Sequence, residues 1–460
     1  MTWNHWYSLK SYIKSSLWIV PVLAILAGMV VKRLAEHLGG WMVRQGFYDL
    51  KTGFFALNAP EAHAALDRIF TITLTCLVFT FGSLLVAIQV AGGQYTPRII
   101  ATTLLRDNVI RWIVGLFVFT ALWANRTMVQ LGNEALVPQF QVFLGLFFGL
   151  ASLIAFIVLI DYSAKLLRPV SLVRLVAQQG IAVIESVYPE PIGQVNAPPM
   201  PPKKRTWRLL SWGSRDSTTI STQTVKYGTP DRVICHQGRS AIVLAVNLER
   251  LVAEAQRADT VIEVVPQVGD FVAEDEPLFY IYENTNAIDD RRLRSLIAFG
   301  SERTMEQDPM FSFRIEVDIA LKALSPAIND PTTAVLAIDQ LHRLLRLVGK
   351  RFLHGYEIRD KAGHLRLLFH TPNWEDFVHI AFREIRFCGA NSLQIVRRLR
   401  AMIENLLQTL PEHRHSALHE ELDLLDRALA REHLFPEDLA LARIPDSQGM
   451  GGSSSITAHN

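Results

Sequence analysis

The sequence predicts an α+β membrane protein: an N-terminal four-helix transmembrane region, then a cytoplasmic region with a small β half-barrel module and an α-helical (α+β) C-terminal domain. Three observations lead there. Half of the 460 residues are hydrophobic and only 20% are charged, and the apolar excess lies almost entirely before residue 162. Strand-like runs fill Arg232 to Tyr282, and from Phe313 onward apolar residues recur at helical spacing. The chain therefore reads as a four-span domain (1–170), an exit helix and flexible linker (171–230), a barrel-sandwich-like β module (231–285), a mainly helical cytoplasmic domain (286–445) and a disordered tail (446–460). A formal net charge of +2 with interspersed signs argues against a nucleic-acid partner. Cys76, Cys235 and Cys388 show no metal-ligand spacing and read as reduced thiols.

A bilayer core takes about 20 apolar helical residues to cross. The windows are Leu17 to Val31, Phe70 to Ala91, Trp112 to Trp123 with its flanks, and Phe140 to Ile160. The first has no convincing small-residue cleavage site and runs into Lys32 and Arg33, so it reads as a retained anchor. Arg98, Arg106 and Arg111 follow the second span, and Lys165, Arg168 and Arg174 follow the fourth. Both sets belong on the cytoplasmic side by the positive-inside rule, and an even number of spans brings the N-terminus there too. Lys32, Arg33, Arg44, Lys51 and Arg68, in the first outer loop, pull the other way. Between spans two and three, "GGQYTPRIIATTLLRDN" reads as an amphipathic helix on the inner surface.

The second span carries the most information. At 100° per residue, Thr71, Thr75, Val78, Gly82, Val86, Gln89 and Gly93 form one stripe, and Phe70, Leu74, Phe81, Leu85 and Ile88 another. Small and hydroxyl residues suit tight helix packing, with the hydroxyls bonding back to their own helix. The same residues suit the wall of a pore in an oligomer. Thr71, Thr75, Gly82, Gln89 and Gly93 are therefore pore-lining or helix-packing candidates. No ionisable residue lies inside any span, which argues against a proton- or ion-driven carrier. Four spans are few for a carrier of two inverted repeats, so transport calls for a homo-oligomer.

Arg174 to Val187 reads as a helix leaving the membrane, and "EPIGQVNAPPMPPKKRTWRLLSWGSRDSTT" as an extended linker. In "VGDFVAEDEPLFYI" a Gly-Asp turn precedes one strand and a proline opens the next, which resembles a biotinyl/lipoyl-type half-barrel. A modified carrier domain needs an exposed lysine at a hairpin tip, and this segment has none; no cofactor is expected.

Two helices flank "LSPAINDPTTA". In the first, Phe313, Val317, Ala320 and Leu324 form an apolar side, and Arg314, Asp318 and Lys322 a charged one. The second carries Val335, Ile338, Leu341, Leu345 and Val348 on one side. Ser325 and Asp330 are N-cap candidates before Pro326 and Pro331, and Asn329 tolerates a left-handed backbone. Two readings stand: a structural corner, or a ligand or subunit-contact site for a small anion or ion built from Arg303, Asp308, Arg314, Asp318, Ser325, Asn329, Asp330 and Thr332. No nucleophile, base and oxyanion arrangement is evident, so the chain is not expected to be an enzyme. Asn373 should cap a helix after Pro372. His415 and His419 stand four apart but lack a third ligand, so no metal site is assigned.

The combination of "QYTPR", "VGDFV", "ERTMEQDPMFSFRIEVDIALKALSPAINDPTTA" and a four-span N-terminus resembles the bacterial predicted membrane proteins grouped as domain of unknown function 2254. That resemblance implies a multi-pass inner-membrane protein with a cytoplasmic C-terminal region and no established biochemical activity. With the polar stripe of the second span, the reading is a homo-oligomeric channel or pore-like transport protein, in contact with the lipid bilayer and with a cytoplasmic gating or assembly domain. The alternative is a membrane-anchored sensor or scaffold binding a small anion or a protein.

Overall fold

The computed structural model describes residues 3–4, 6–7, 13, 16, 18–44, 57–94, 108–133, 139–166, 168–192, 228–283, 285–353, 357–432 and 435–451. They belong to two compact units. One, the bundle unit, comprises Lys10–Val176 with Ser325–Asn329; the other, the mixed unit, comprises Met1–Leu9, Ala177–Leu324 and Asp330–Asn460. The expected surface helix around 98–105 and most of the linker fall outside the described residues.

The bundle unit contains α1 (Ile19–Arg44), α2 (Ala59–Gln94), α3 (Asn108–Asn133) and α4 (Gln139–Leu166); α5 (Pro169–Val187) begins in it and continues into the mixed unit. Helix α3 is central and packs on α1, α2 and α4. Small residues bring the axes together, as expected where lipid is as apolar as leucine and only close packing favours association. A Cβ on Gly115 would lie 3.0 Å from Val20, one on Gly145 2.7 Å from Leu66, and one on Gly149 2.9 Å from Ile69. Gly145 and Gly149 form a Gly-x-x-x-Gly pair that seats α2. The face α2 offers in return is Ala62, Leu66, Thr73, Cys76, Thr80 and Ala87, all buried and spaced by threes and fours. Hydroxyls inside the bundle find partners: Thr80 donates to the Cys76 carbonyl at 2.7 Å, and Thr120 and Ser152 bond to each other at 2.9 Å.

Four segments are long and apolar enough to cross a membrane: Ala59–Gln89, Asn108–Gly132, Gln139–Lys165 and Pro169–Val187. Three match expected spans, and the fourth is the expected exit helix. The first expected span lies in α1, whose uncharged stretch ends at Val31 while the helix continues through Lys32 and Arg33 to Arg44. Its outer face, with Leu23, Leu26, Met29 and Val30, is apolar and exposed.

The mixed unit holds two sheets. Strands β1 (Arg232–Cys235), β2 (Ala241–Val246), β3 (Val261–Val264), β4 (Phe271–Val272), β5 (Pro277–Tyr282) and β6 (Ile297–Gly300) alternate with α6 (Leu248–Ala258) and the short α7 (Asp290–Arg294). Helices α8 (Pro309–Ala323) and α9 (Pro331–Gly349) follow, then β7 (Glu357–Arg359) and β8 (Leu365–Phe369), then α10 (Trp374–Gly389), α11 (Leu393–Thr409), α12 (His415–Glu432) and α13 (Pro436–Ala442). The five-stranded sheet runs β1-β5-β3-β8-β7 and the three-stranded sheet β4-β2-β6. The stretch expected as a β module at 231–285 is therefore not self-contained. Strand β3 pairs in parallel with β8, which arrives after α8 and α9, and β2 pairs with β6. Helix α6, capped by Asn247, lies between β2 and β3 and packs Leu251, Ala255 and Ala258 against Ile262, Val264 and Ile281. The Gly-Asp turn and the Pro277 strand start are as read from the sequence.

The helices after β6 begin on strong caps. Asp308 and Asp330 each stand before a proline at the first helical position, and Asn373 forms a capping box with Asp376. The start of the expected tail is ordered through Gly451. The Asp446 carboxylate accepts the N–H groups of Gln448, Gly449 and Gly451 at 2.8–3.0 Å. Buried Arg397 donates to the Ile444 and Gly451 carbonyls. Residues 452–460 fall outside the described residues.

Gly149→Leu should force α2 off α4 and lower the thermal midpoint of the detergent-solubilised chain, an overpacking cost of about 1–3 kcal/mol. Gly82→Leu, with nothing within 4 Å of its added Cβ, should leave that midpoint unchanged within about 1 °C, the scale of a neutral surface change.

Candidate functional site

The expected ligand cluster resolves into three separate places along α8. At its N-terminus, Asp308 divides its carboxylate. One oxygen caps the helix, accepting the Phe311 N–H at 3.1 Å, and the other takes the Arg303 guanidinium at 2.9–3.0 Å. Burial pushes the Asp308 carboxyl up, and Arg303 draws it back down. The turn at Gly269 closes over the pair. Its backbone has φ +93°, and a Cβ there would lie 2.0 Å from Arg303 Nη2 and 2.6 Å from Asp308 Oδ2. Arg303 also lies over the Phe311 ring at 5.7 Å. Two stretches quoted from the sequence, "VGDF" and "ERTMEQDP", thus meet in one ion pair, and its charge is already matched.

Midway along α8, Arg314 is held by Asp318 at 2.5 Å and by both oxygens of Glu384 on α10 at 2.6–3.0 Å. The guanidinium holds the Glu384 carboxyl below its usual range. At the C-terminus, Ser325 does not open a helix. Its carbonyl accepts Ile328 and Asn329 in one isolated turn, and the Asp330 N–H returns to the Ala323 carbonyl at 2.8 Å. Asn329 is left-handed at φ 49°. Asp330 then caps α9, bonded by the Thr333 N–H at 3.1 Å and the Thr333 hydroxyl at 2.5 Å, while Thr332 is exposed. A 15-residue helix spans about 22 Å, so Asp308 and Asp330 lie at opposite ends of it. Arg303, Asp308, Arg314 and Asp318 do not gather at the loop as expected. Sequence distance brought them together only on paper, because Asp308 begins the helix that Ser325 follows.

In the second span, Thr71, Thr75, Gly82, Gln89 and Gly93 are all exposed. The packing face of α2 points elsewhere. The Thr75 hydroxyl bonds the Thr71 carbonyl of its own helix at 2.8 Å, and neither Gly82 nor Gly93 has anything within 4 Å of an added Cβ. The stripe is thus covered by none of the described residues of its own chain.

Two features escaped the sequence reading. Glu316, on the buried face of α8, is 0% exposed and has no hydrogen-bond partner among the described residues on either carboxylate oxygen. The signal was available: four residues after Ser312 and flanked by Ile315 and Val317, it lies on the apolar stripe. The other is a polar junction between α9 and α11. His342 Nδ1 receives Arg398 Nη2 at 3.1 Å, so its other nitrogen carries the proton and donates to Asn405 Oδ1 at 2.9 Å. Arg398 also binds Asp339 at 2.7 Å. Burial and Arg398 hold His342 down at about 4. Further on, His415 Nε2 lies 2.9 Å from the Leu410 carbonyl oxygen, and its ring stands edge-on to His419.

A protein family described as predicted membrane protein (DUF2254) matches residues 14–405. The chain is also 22% identical over 456 residues to uncharacterised proteins of Mycobacterium tuberculosis strains H37Rv and CDC 1551 and of Mycobacterium bovis. Each alignment covers 95% of this chain and 81% of the relative. No solved structure matches the chain.

Gly269→Ala should break the Arg303–Asp308 seat and lower the thermal midpoint by several degrees, since it adds both a steric clash and a strained left-handed residue, about 1–3 kcal/mol. The folded-state value of His342 lies below the ordinary 6.5. The unfolded chain therefore binds the extra proton, and stability is complete above pH 6.5 and falls as pH drops toward 4. His342→Gln should flatten that acid limb by about 2–4 °C in thermal melts, allowing for partial exposure.

Proposed function

The chain belongs to the family of predicted membrane proteins numbered domain of unknown function 2254, and on the exposed stripe of α2 we propose that it is a homo-oligomeric, pore-like transport protein of a bacterial inner membrane. In this reading the α2 helices of neighbouring copies meet along Thr71, Thr75, Gly82, Gln89 and Gly93. One observation carries it: this side of α2 is bare while the opposite side is already used in packing within the chain. Small and hydroxyl-bearing residues facing outward at membrane depth are a helix-association surface. The stripe supplies hydroxyl, amide and backbone groups without fixed charge, which suits passive passage better than proton-coupled pumping.

Support for both ends of the chain lying on one side of the bilayer comes from the mixed unit. Trp3 and Tyr7, their rings 5.3 Å apart, pack on Leu244, Ala245 and Ala298 of the three-stranded sheet. A chain that starts and finishes in one unit crosses the bilayer an even number of times. In this reading helices α1 to α4 are the four crossings, and α5 from Ala177 onward lays one face on protein, with Gly180 against Ser312. The sensor reading has less to rest on, because Arg303 and Arg314 are each engaged by the chain's own carboxylates.

Oxidative cross-linking in native membranes tests the oligomer. In a background without native cysteines, Thr75→Cys should give a covalent dimer, and Val30→Cys, on the outer face of α1, should not. Flux through liposomes tests the path: Gly82→Leu should reduce it at least about tenfold, a barrier rise of about 1.4 kcal/mol. A monomer by mass with no Thr75→Cys cross-link overturns the reading.

A further inference from the structure

Helix α5 is held in the mixed unit at one crowded point. A Cβ on Gly180 would lie 2.6 Å from Ser312 Oγ, 2.7 Å from Ser312 Cβ and 3.2 Å from Leu344 of α9. Three helices, α5, α8 and α9, meet there with no spare room. Ser312 itself is satisfied, donating to the Pro309 carbonyl at 2.7 Å. Glu316 comes one turn later on the same stripe of α8, opposite the exposed-side pair Arg314 and Asp318. It is 0% exposed, and neither carboxylate oxygen has a hydrogen-bond partner among the described residues.

The charged groups on the elements packed against α8 are engaged elsewhere. On α5, Arg174 and Glu185 are exposed, the latter paired with Arg351. On α9, Asp339 and His342 bond Arg398 and Asn405 of α11, and Arg343 and Arg346 are exposed. On α10, Glu384 pairs with Arg314, Arg383 and Arg386 approach Glu421 of α12, and burial and Arg383 lower His379, whose Nε2 has no hydrogen-bond partner among the described residues. Among the described residues no charge compensates an ionised Glu316, and burial raises its carboxyl well above the usual range. An ionised carboxylate without partner or water is among the costliest groups to bury.

We propose that Glu316 is a proton-operated latch on α5: the helix stays seated on α8 and α9 while the carboxyl keeps its proton, and leaves that seat when the proton is lost. The sign follows from linkage. A folded-state carboxyl raised above the free value contributes full stability below about pH 4.5, and that contribution is lost as pH rises through its folded value. Loosening α5 lets water reach the carboxylate, so one proton is released for each opening. The latch stands on the mixed unit alone and does not depend on a pore.

Hydrogen exchange on the full chain in lipid nanodiscs, corrected for the intrinsic pH dependence of exchange, tests it over residues 177–187. In the wild type the protection factor should fall with rising pH, by about tenfold per pH unit where the proton leaves. Glu316→Gln, neutral at every pH, and Glu316→Leu, which removes the polar group, should both flatten the profile. If Gln disrupts the fold, the Leu variant carries the comparison. A wild-type profile without pH dependence, or one that both variants retain, overturns the latch.

Discussion

In the mixed unit α5 meets α8 in one close approach, at a residue without a side chain. With Gly180 against Ser312, the rest of the helix can sink in: Ile184 and Tyr188 are fully buried, and the Tyr188 ring stands edge-on to Phe377, which in turn packs on Phe313. The chain just beyond is strapped down. Ile192 N–H bonds the Lys350 carbonyl at 2.9 Å, Phe352 N–H bonds the Glu190 carbonyl at 2.8 Å, and Arg351 donates to the Pro189 carbonyl at 2.7 Å. A helix whose composition suits lipid thus becomes part of a protein core. Composition does not separate the two, because a protein interior and a bilayer are similarly apolar.

Elsewhere in the mixed unit the buried charges are met by opposite charges or by backbone groups. Arg398 meets Asp339, Arg400 meets Asp426, and the buried Glu421 is approached by Arg383 and Arg386. Arg397 is answered by backbone carbonyls of the C-terminal turn. Each such group is retained only with its partner, since stripping one side of a buried pair costs roughly 3–5 kcal/mol. Glu316 departs from the pattern. Among carboxylates otherwise held charged by cations or N–H groups, it is tolerated by staying neutral, so a proton takes the part that arginine has elsewhere.

The bundle unit solves its packing differently. Aqueous burial rewards large apolar residues, but in lipid the reward comes from contact, so glycine, alanine, threonine and cysteine sit on the inner faces beside the buried Leu66, Phe117, Trp123 and Val142. The large residues Leu74, Phe81 and Leu85 point outward. Contrast between greasy and small stripes on α2 therefore identified two outward faces and missed the third, on which Ala62, Leu66, Thr73, Cys76, Thr80 and Ala87 are buried.

Much was legible in the residues alone: membrane half before mixed half, the Gly-Asp turn, the left-handed Asn329, and the caps at Asp330 and Asn373. These are local matters, decided by propensity and by hydrogen bonds spanning a few residues. The candidate site was legible only in its parts. Asp330 caps α9 as expected, but Arg303 with Asp308 and Arg314 with Asp318 belong to other contacts along α8, because a helix between two residues separates them in space. Only the tertiary structure could join β8 to β3, bring Gly269 onto Arg303, turn the Thr75 side of α2 outward and bury Glu316 unpaired. Each of these depends on segments far apart in the chain, whose meeting is governed by packing volume and by the partners left available after the helices have docked.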